Sequence, residues 1–230
     1  MRMIQNEANK EGTLMKVLNL YAGIGGNRKL WDDVEVTAVE IDPTIAELYQ
    51  GFFPDDKVVI ADAHQYLLDH FREFDFIWAS PPCVTHSITN RFLNAQGVIR
   101  YPDMRLYQEI IFLKTYAPGF YCVENVKSYY EPLIKPYEID RHYFWANFHI
   151  TSMRTDRTFN ICNTRDSTRL PNEEYKQLIQ ESIGFEGVSS QVLRNCVYPP
   201  IGKHILDCAR GSTQKTLVES INSISKRNEE

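Results

Sequence analysis

Five short apolar runs in the first half of the chain each end at glycines, an acid or a polar cluster, and this rhythm limits the fold more than any other feature. They lie over 16–21 (KVLNLY), 34–40 (VEVTAVE), 58–60 (VVI), 74–79 (FDFIWA) and 119–123 (GFYCV). Between them the pattern predicts a helix from about Asn27, a helix over 43–52 opened by Asp42, and a helix over 104–114. Strands alternating with helices build a parallel sheet, whose sites lie at the carboxyl ends of the strands. Further on, 142–151 and 157–162 read as the last two strands, as an antiparallel pair. Helices are expected over 172–182, 199–209 and 213–225. No repeat, low-complexity tract or linker interrupts the chain. One domain over 16–230 is therefore expected after a polar lead-in over 1–15, with the helices of 199–225 packing back on it.

Composition narrows the function classes. The 230 residues carry a formal net charge of -5, which argues against a protein that grips nucleic acid over its whole surface. Any basic patch must be local. The five cysteines, Cys83, Cys122, Cys162, Cys196 and Cys208, form no C-x-x-C pair and read as reduced thiols, and the histidines show no metal-ligand spacing. No metal site is expected. The absence of a membrane-length apolar stretch or an apolar leader points to the cytoplasm.

Two clusters suggest chemistry. Gly23-x-Gly25-Gly26 follows the first strand, and Glu40 ends the second, where a carboxylate could accept ribose hydroxyls. Taken alone, this is also compatible with a tight strand-to-helix turn and a solvated Glu40. The spacing departs from G-x-G-x-x-G, which favours a nucleoside other than a nicotinamide cofactor.

The second cluster is Ser80-Pro81-Pro82-Cys83, directly after FDFIWA. Two prolines fix the backbone and present a thiol at the strand end. Carbon 5 of cytosine is too weak a nucleophile to be methylated directly, so a thiolate must first add to carbon 6. Glu124, in Glu124-Asn125-Val126 after the neighbouring strand, would protonate or hydrogen-bond cytosine N3. The other cysteines read as inert thiols. Tyr143-Phe144-Trp145 reads as core rather than as a base-stacking platform.

Asn19-Leu20-Tyr21-Ala22-Gly23-Ile24-Gly25-Gly26, Glu40-Ile41-Asp42, Pro81-Pro82-Cys83-x-x-x-Ser87 and Glu124-Asn125-Val126 together resemble the DNA cytosine-5 methyltransferase family in order and spacing. The resemblance implies an α/β fold of the class I S-adenosylmethionine-dependent, Rossmann-like type: a mostly parallel seven-stranded sheet with helices on both faces and a last antiparallel strand. It also implies S-adenosyl-L-methionine as cofactor and cytosine-containing duplex DNA as partner. The cofactor set would be Tyr21, Ala22, Gly23, Ile24, Gly25, Gly26, Glu40, Ile41, Asp62, Ala63, Pro82, Asn195 and Val197. Glu40 would hold the ribose and Asp62 the adenine amino group. Cys83 would be the nucleophile, Glu124 the N3 acid and Arg157 the cytosine-orienting second arginine of its element, whose first arginine falls on Thr155 unless Arg154 substitutes. Arg169-Leu170-Pro171 and Arg194-Asn195-Cys196-Val197-Tyr198-Pro199-Pro200 resemble the later family elements, so the likeness runs from about Lys16 to about Leu206.

Ser87, Arg91, Arg100 and Arg105, in or before the stretch 89–105, would contact phosphates from a closing loop. Two departures stand out: Val84 replaces the family's glutamine after the nucleophile, and only about ten residues separate the arginine element from Arg169 where the family inserts a target-recognition region. So short a segment offers few side chains to groove edges. Specificity is then short, relaxed or supplied by a protein partner. Two other readings stay open, an RNA cytosine substrate and a catalytically idle binding subunit.

Overall fold

In the computed structural model, residues 14–155, 177, 180–181 and 183–211 are described. Arg157, Cys162, the strand expected over 157–162, the segment 169–174 and the helix expected over 213–225 lie outside them, as does most of 172–182.

Among the described residues seven strands form one sheet: β1 (Met15–Leu20), β2 (Val34–Glu40), β3 (Lys57–Ile60), β4 (Phe76–Ala79), β5 (Phe120–Val126), β6 (Tyr137–Ile139) and β7 (His142–Ala146). Their order is β3-β2-β1-β4-β5-β7-β6. The pairs among β1 to β5 are parallel, and β7 runs antiparallel to both β5 and β6. This is the α/β, Rossmann-like class I methyltransferase topology expected. One detail differs. Among the described residues the antiparallel hairpin is made by 137–139 and 142–146, so the strand expected over 142–151 stops at Ala146, and its expected partner over 157–162 lies outside the described residues. Its two-residue turn holds Asp140 at φ 54, a left-handed conformation that Asp tolerates.

Alternate residues on each central strand point to opposite faces, and both faces are buried. Leu18, Leu20, Ile77, Ala79 and Val123 face one way, against Leu67 of helix α2 (Ala63–His70) and Leu106, Ile110 and Leu113 of α4 (Arg105–Tyr116). Val17, Phe76, Trp78 and Cys122 face the other, against Ile201, Ile205 and Leu206 of the last described helix (Pro199–Ala209). Helix α1 (Pro43–Phe52) caps on Asp42, whose carboxylate accepts from Thr44 N and Ile45 N, and packs Tyr49 against Ala38. Asp42 therefore works as the sequence suggests.

The helix expected from Asn27 does not form; residues 27–31 make turns. Side chains hold this segment to its surroundings instead. Asn27 Nδ2 donates to Asn19 Oδ1 at 2.8 Å, and the Arg28 guanidinium forks onto Asp56 at 2.9 and 3.0 Å. Trp31 Nε1 donates to the carbonyl of Gly202 at 3.0 Å, and a Cβ on Gly202 would lie 2.1 Å from the Asn27 carbonyl oxygen. The backbone of 27–31 is thus committed to close packing on the last helix.

Candidate active site

The carboxyl ends of β1, β2, β3 and β4 open onto one cleft. It is lined by Tyr21, Glu40, Ile41, Asp62, Ala63, Pro81, Pro82, His86, Asp103, Arg105 and Leu106. Its parts arise from strand exits. Tyr21 leaves β1 at φ 55 and Gly23 follows at φ 56, so the chain turns sharply and the Gly23 backbone faces open space. The Glu40 carboxylate accepts from Gly23 N at 2.9 Å, Ile41 N at 2.9 Å and Asp42 N at 3.0 Å, which fixes it at the end of β2. Asp62 caps α2 through Gln65 N. Ile41 is 65% exposed, an apolar side chain at the cleft rim left for a ligand to cover. A concave surface with two anchored carboxylates and an uncovered apolar rim fits a nucleoside with hydroxyl and amino donors.

The remaining predicted cofactor residues divide by position. Ala22, Gly23, Ile24, Gly25, Gly26, Asn195 and Val197 do not line the cleft. Ile24 is buried with Phe185 and Leu193, and a Cβ on Gly25 would meet Phe53 Cε2 at 2.3 Å. A Cβ on Gly26 would sit 2.7 Å from Cys196 Cβ and from the Val197 carbonyl. The two later glycines serve packing, which brings the segment of Asn195 and Val197 onto the glycine turn.

Under the cleft, Tyr21 donates its hydroxyl to Glu109 Oε1, and His64 Nδ1 meets the same oxygen at 2.9 Å. Glu109 is fully buried, and its Oε2 has no hydrogen-bond partner among the described residues. Burial pushes its carboxyl above the usual range, although the bonds from Tyr21 and His64 pull the other way. Burial, and then the charge of Glu109, push the Tyr21 phenol up as well.

Beyond the prolines, Cys83 begins a turn in which His86 N and Ser87 N both donate to its carbonyl at 3.0 Å. Cys83 is half-buried, whereas Cys122, Cys196 and Cys208 are buried. Its thiol is pushed up by burial first and by the Glu124 carboxylate second, while Arg141 opposes the shift. Glu124 is buried and bonds His142. The adjacent Asn125 donates to the Pro81 carbonyl at 2.9 Å, which fastens β5 to the proline turn. Burial also raises Cys208, but hydrogen bonds with His204 and Thr151 outweigh it and bring that thiol down to about 7. Being on the buried face of the last described helix, Cys208 offers no path to a substrate.

The stretch expected as a closing loop contains the short helix α3 (Asn90–Ala95). Arg91, Arg100, Arg105 and Arg154 are exposed and Ser87 half-buried; Arg91 Nε donates to the Tyr129 carbonyl at 3.4 Å. Arg105 stands on the cleft wall beside Asp103. Sequence reasoning did not single out His86, Asp103 or His142. His86 sits three residues past Cys83, a spacing that could have marked it.

Residues 15–132, just over half of the chain, match the family model described as C-5 cytosine-specific DNA methylase. The chain belongs to that family. Among relatives of this cytosine-5 methylase, the Type II methyltransferase M1.HphI of Haemophilus parahaemolyticus is 28% identical over 119 residues, 47% of this chain and 32% of that protein. The chain thus spans about a third of the length of that relative. Among solved structures, the Entamoeba histolytica methyltransferase EhMeth aligns with a TM-score of 0.51 at 11% identity, over 87% of this chain and 99% of that one. That likeness concerns the fold. A mutant of Spodoptera frugiperda DNMT2 aligns at 25% identity and a TM-score of 0.35, over 50% of this chain and 36% of that one. Membership of the methylase family implies S-adenosylmethionine as the methyl donor. Among the described residues no group of three His, Cys, Asp or Glu side chains could hold a metal ion, and no helix is long and apolar enough to cross a membrane.

Proposed function

We propose that this chain methylates carbon 5 of a flipped DNA cytosine through a covalent Cys83 adduct. The observation that carries this reading is the pairing of a half-buried thiol at the proline turn with a buried carboxyl on the adjacent strand, beside the cleft at the strand exits. Glu40 would hold the ribose of the cofactor and Asp62 its adenine amino group, with Ile41 and Pro82 also lining the cleft.

The chemistry follows from the side chains. Sγ of Cys83 bonds carbon 6 as its proton leaves to solvent, and the ring electrons move to N3, which takes a proton from Glu124. Carbon 5 is then enamine-like. The bound cofactor supplies an electrophilic methyl on a sulfonium. Loss of the carbon 5 proton to solvent, expulsion of Sγ and return of the N3 proton to Glu124 restore the ring double bond and release the enzyme. Because the Cys83 thiol is pushed up, deprotonation belongs to the attack step rather than to the resting state. Arg157, the expected base-orienting arginine, completes the set.

Duplex DNA requires the target base to be extruded, at a cost of a few kcal/mol. Arg91, Arg100, Arg105 and Ser87 would contact the flanking phosphates. The interval between Arg157 and Arg169 is too short for extensive base readout, so specificity is short or supplied in trans by a protein partner. The setting is the cytoplasm of a bacterial or phage-infected cell.

The test is mechanism-based trapping. An oligonucleotide duplex with 5-fluorocytosine, incubated with cofactor, should give a denaturation-resistant adduct that disappears in Cys83→Ala. Adduct formation that survives this substitution would refute Cys83 as nucleophile.

A further inference from the structure

His142 opens β7 two positions diagonally from Glu124: in the β5–β7 register Val126 faces His142 and Glu124 faces Phe144. Its side chain is buried, and Nδ1 lies 2.5 Å from Glu124 Oε1. Arg141 Nε points at the other ring nitrogen, Nε2, at 3.3 Å. A guanidinium can only donate, so Nε2 must accept and the ring hydrogen must sit on Nδ1. Nδ1–H therefore donates to Oε1. Arg141 is itself held by the carbonyl of Arg194, 2.9 Å from Nη2, so the chain of donors is anchored at its far end. Glu124 Oε2 makes no hydrogen bond among the described residues.

We infer that His142 is a positioning residue: by occupying Oε1 as a donor, it leaves Oε2 as the oxygen that carries the proton to cytosine N3. The inference rests on the cytosine-5 reading above. A carboxyl free to rotate would present either oxygen, protonated or bare, to the ring. With Oε1 committed to accepting, only Oε2 can hold the proton, and it is the oxygen left for substrate. Arg141 has a second effect, since its charge lowers the Cys83 thiol against the burial that raises it. One arginine thus orients the acid through His142 and eases ionisation of the nucleophile.

The full chain, His142→Leu and His142→Asn are compared for transfer of labelled methyl to cytosine-containing duplex DNA. Asparagine can place an amide N–H close to the position of Nδ1, and leucine cannot. The expected result is a kcat about 10- to 100-fold lower for His142→Leu, with KM for DNA and cofactor changed by no more than about 2-fold, and recovery of most of the loss in His142→Asn. Equal kcat in all three, or equal loss in both variants, would overturn the assignment. No methyl transfer by the wild-type chain would overturn the cytosine-5 reading and the role of His142 with it, whereas failure of the variants alone to differ would overturn only the latter. A measurement independent of turnover is the ¹⁵N spectrum of the His142 ring in the wild-type chain. Hydrogen on Nδ1 supports the assignment, and hydrogen on Nε2 overturns it.

Discussion

The Asn125 side chain donates to the carbonyl of Pro81 across the gap between β5 and the turn after β4, at 2.9 Å. It is buried, and its Oδ1 also accepts from Val126 N, so it cannot swing away without leaving polar groups unpaired. Through it the strand that carries Glu124 and the turn that carries Cys83 move as one piece. Asn125→Ala should lower unfolding free energy by about 1–3 kcal/mol, the cost of an orphaned buried carbonyl. The same variant should slow adduct formation more than it weakens cofactor binding. Urea unfolding and trapping kinetics on one preparation check both. Unchanged trapping would mean that the proline turn is held by other contacts.

Burial and Glu124 together raise the Cys83 thiol above its ordinary value of 9.0. Its thiolate fraction must then still be climbing at pH 9, so iodoacetamide alkylation at Cys83 should keep accelerating above that pH. Glu124→Gln removes the second cause and should move the rise to lower pH. Peptide mass spectrometry of alkylated chain at a series of pH values follows both. A plateau below pH 9 in the wild type would contradict the description.

Gly202 gives a test of the unexpected packing of 27–31. Glycine to alanine inside a helix ordinarily stabilises by about 0.5–1 kcal/mol. Here the added Cβ would lie 2.1 Å from the Asn27 carbonyl oxygen, which is backbone and cannot rotate away. Gly202→Ala should therefore destabilise by about 1–3 kcal/mol. A stabilised variant in thermal unfolding would show that this contact is looser than described.

Glu109 makes a prediction with a definite sign. Its carboxyl is raised in the fold, mainly by burial, above the unfolded value near 4.5. A raised group contributes stability that is present below the unfolded pKa and lost as pH rises through the folded one. Glu109→Gln, which cannot ionise, should unfold at a higher temperature than wild type at pH 8, and the difference should shrink toward pH 4. The reverse trend would mean that Tyr21 and His64 stabilise the carboxylate more than burial opposes it.

The parallel half of the sheet was legible because its strands are buried on both faces and end in glycines, prolines or acids, so that pattern and punctuation agree. The placement of Cys83 and Glu124 near each other was legible for a related reason, since the elements that carry them are parallel strands, paired directly, with exits side by side. What escaped depends on contacts distant in sequence. The helix expected at Asn27 fails because Asp56, Asn19 and Gly202 claim that segment, and none of them is near it in the chain. Ile24, Gly25 and Gly26 belong to a motif that suggests a ligand, yet they pack on Phe185, Phe53 and Cys196. His142 carries no local signal because its meaning lies in a diagonal neighbour across an antiparallel pair.

The central claim is tested most directly by incubating purified chain with methyl-labelled S-adenosylmethionine and duplex DNA, single-stranded DNA or tRNA, with Cys83→Ala alongside. The account predicts label in 5-methylcytosine of the duplex and none with the variant. Label in another base, label retained by Cys83→Ala, or no label despite cofactor binding would contradict it.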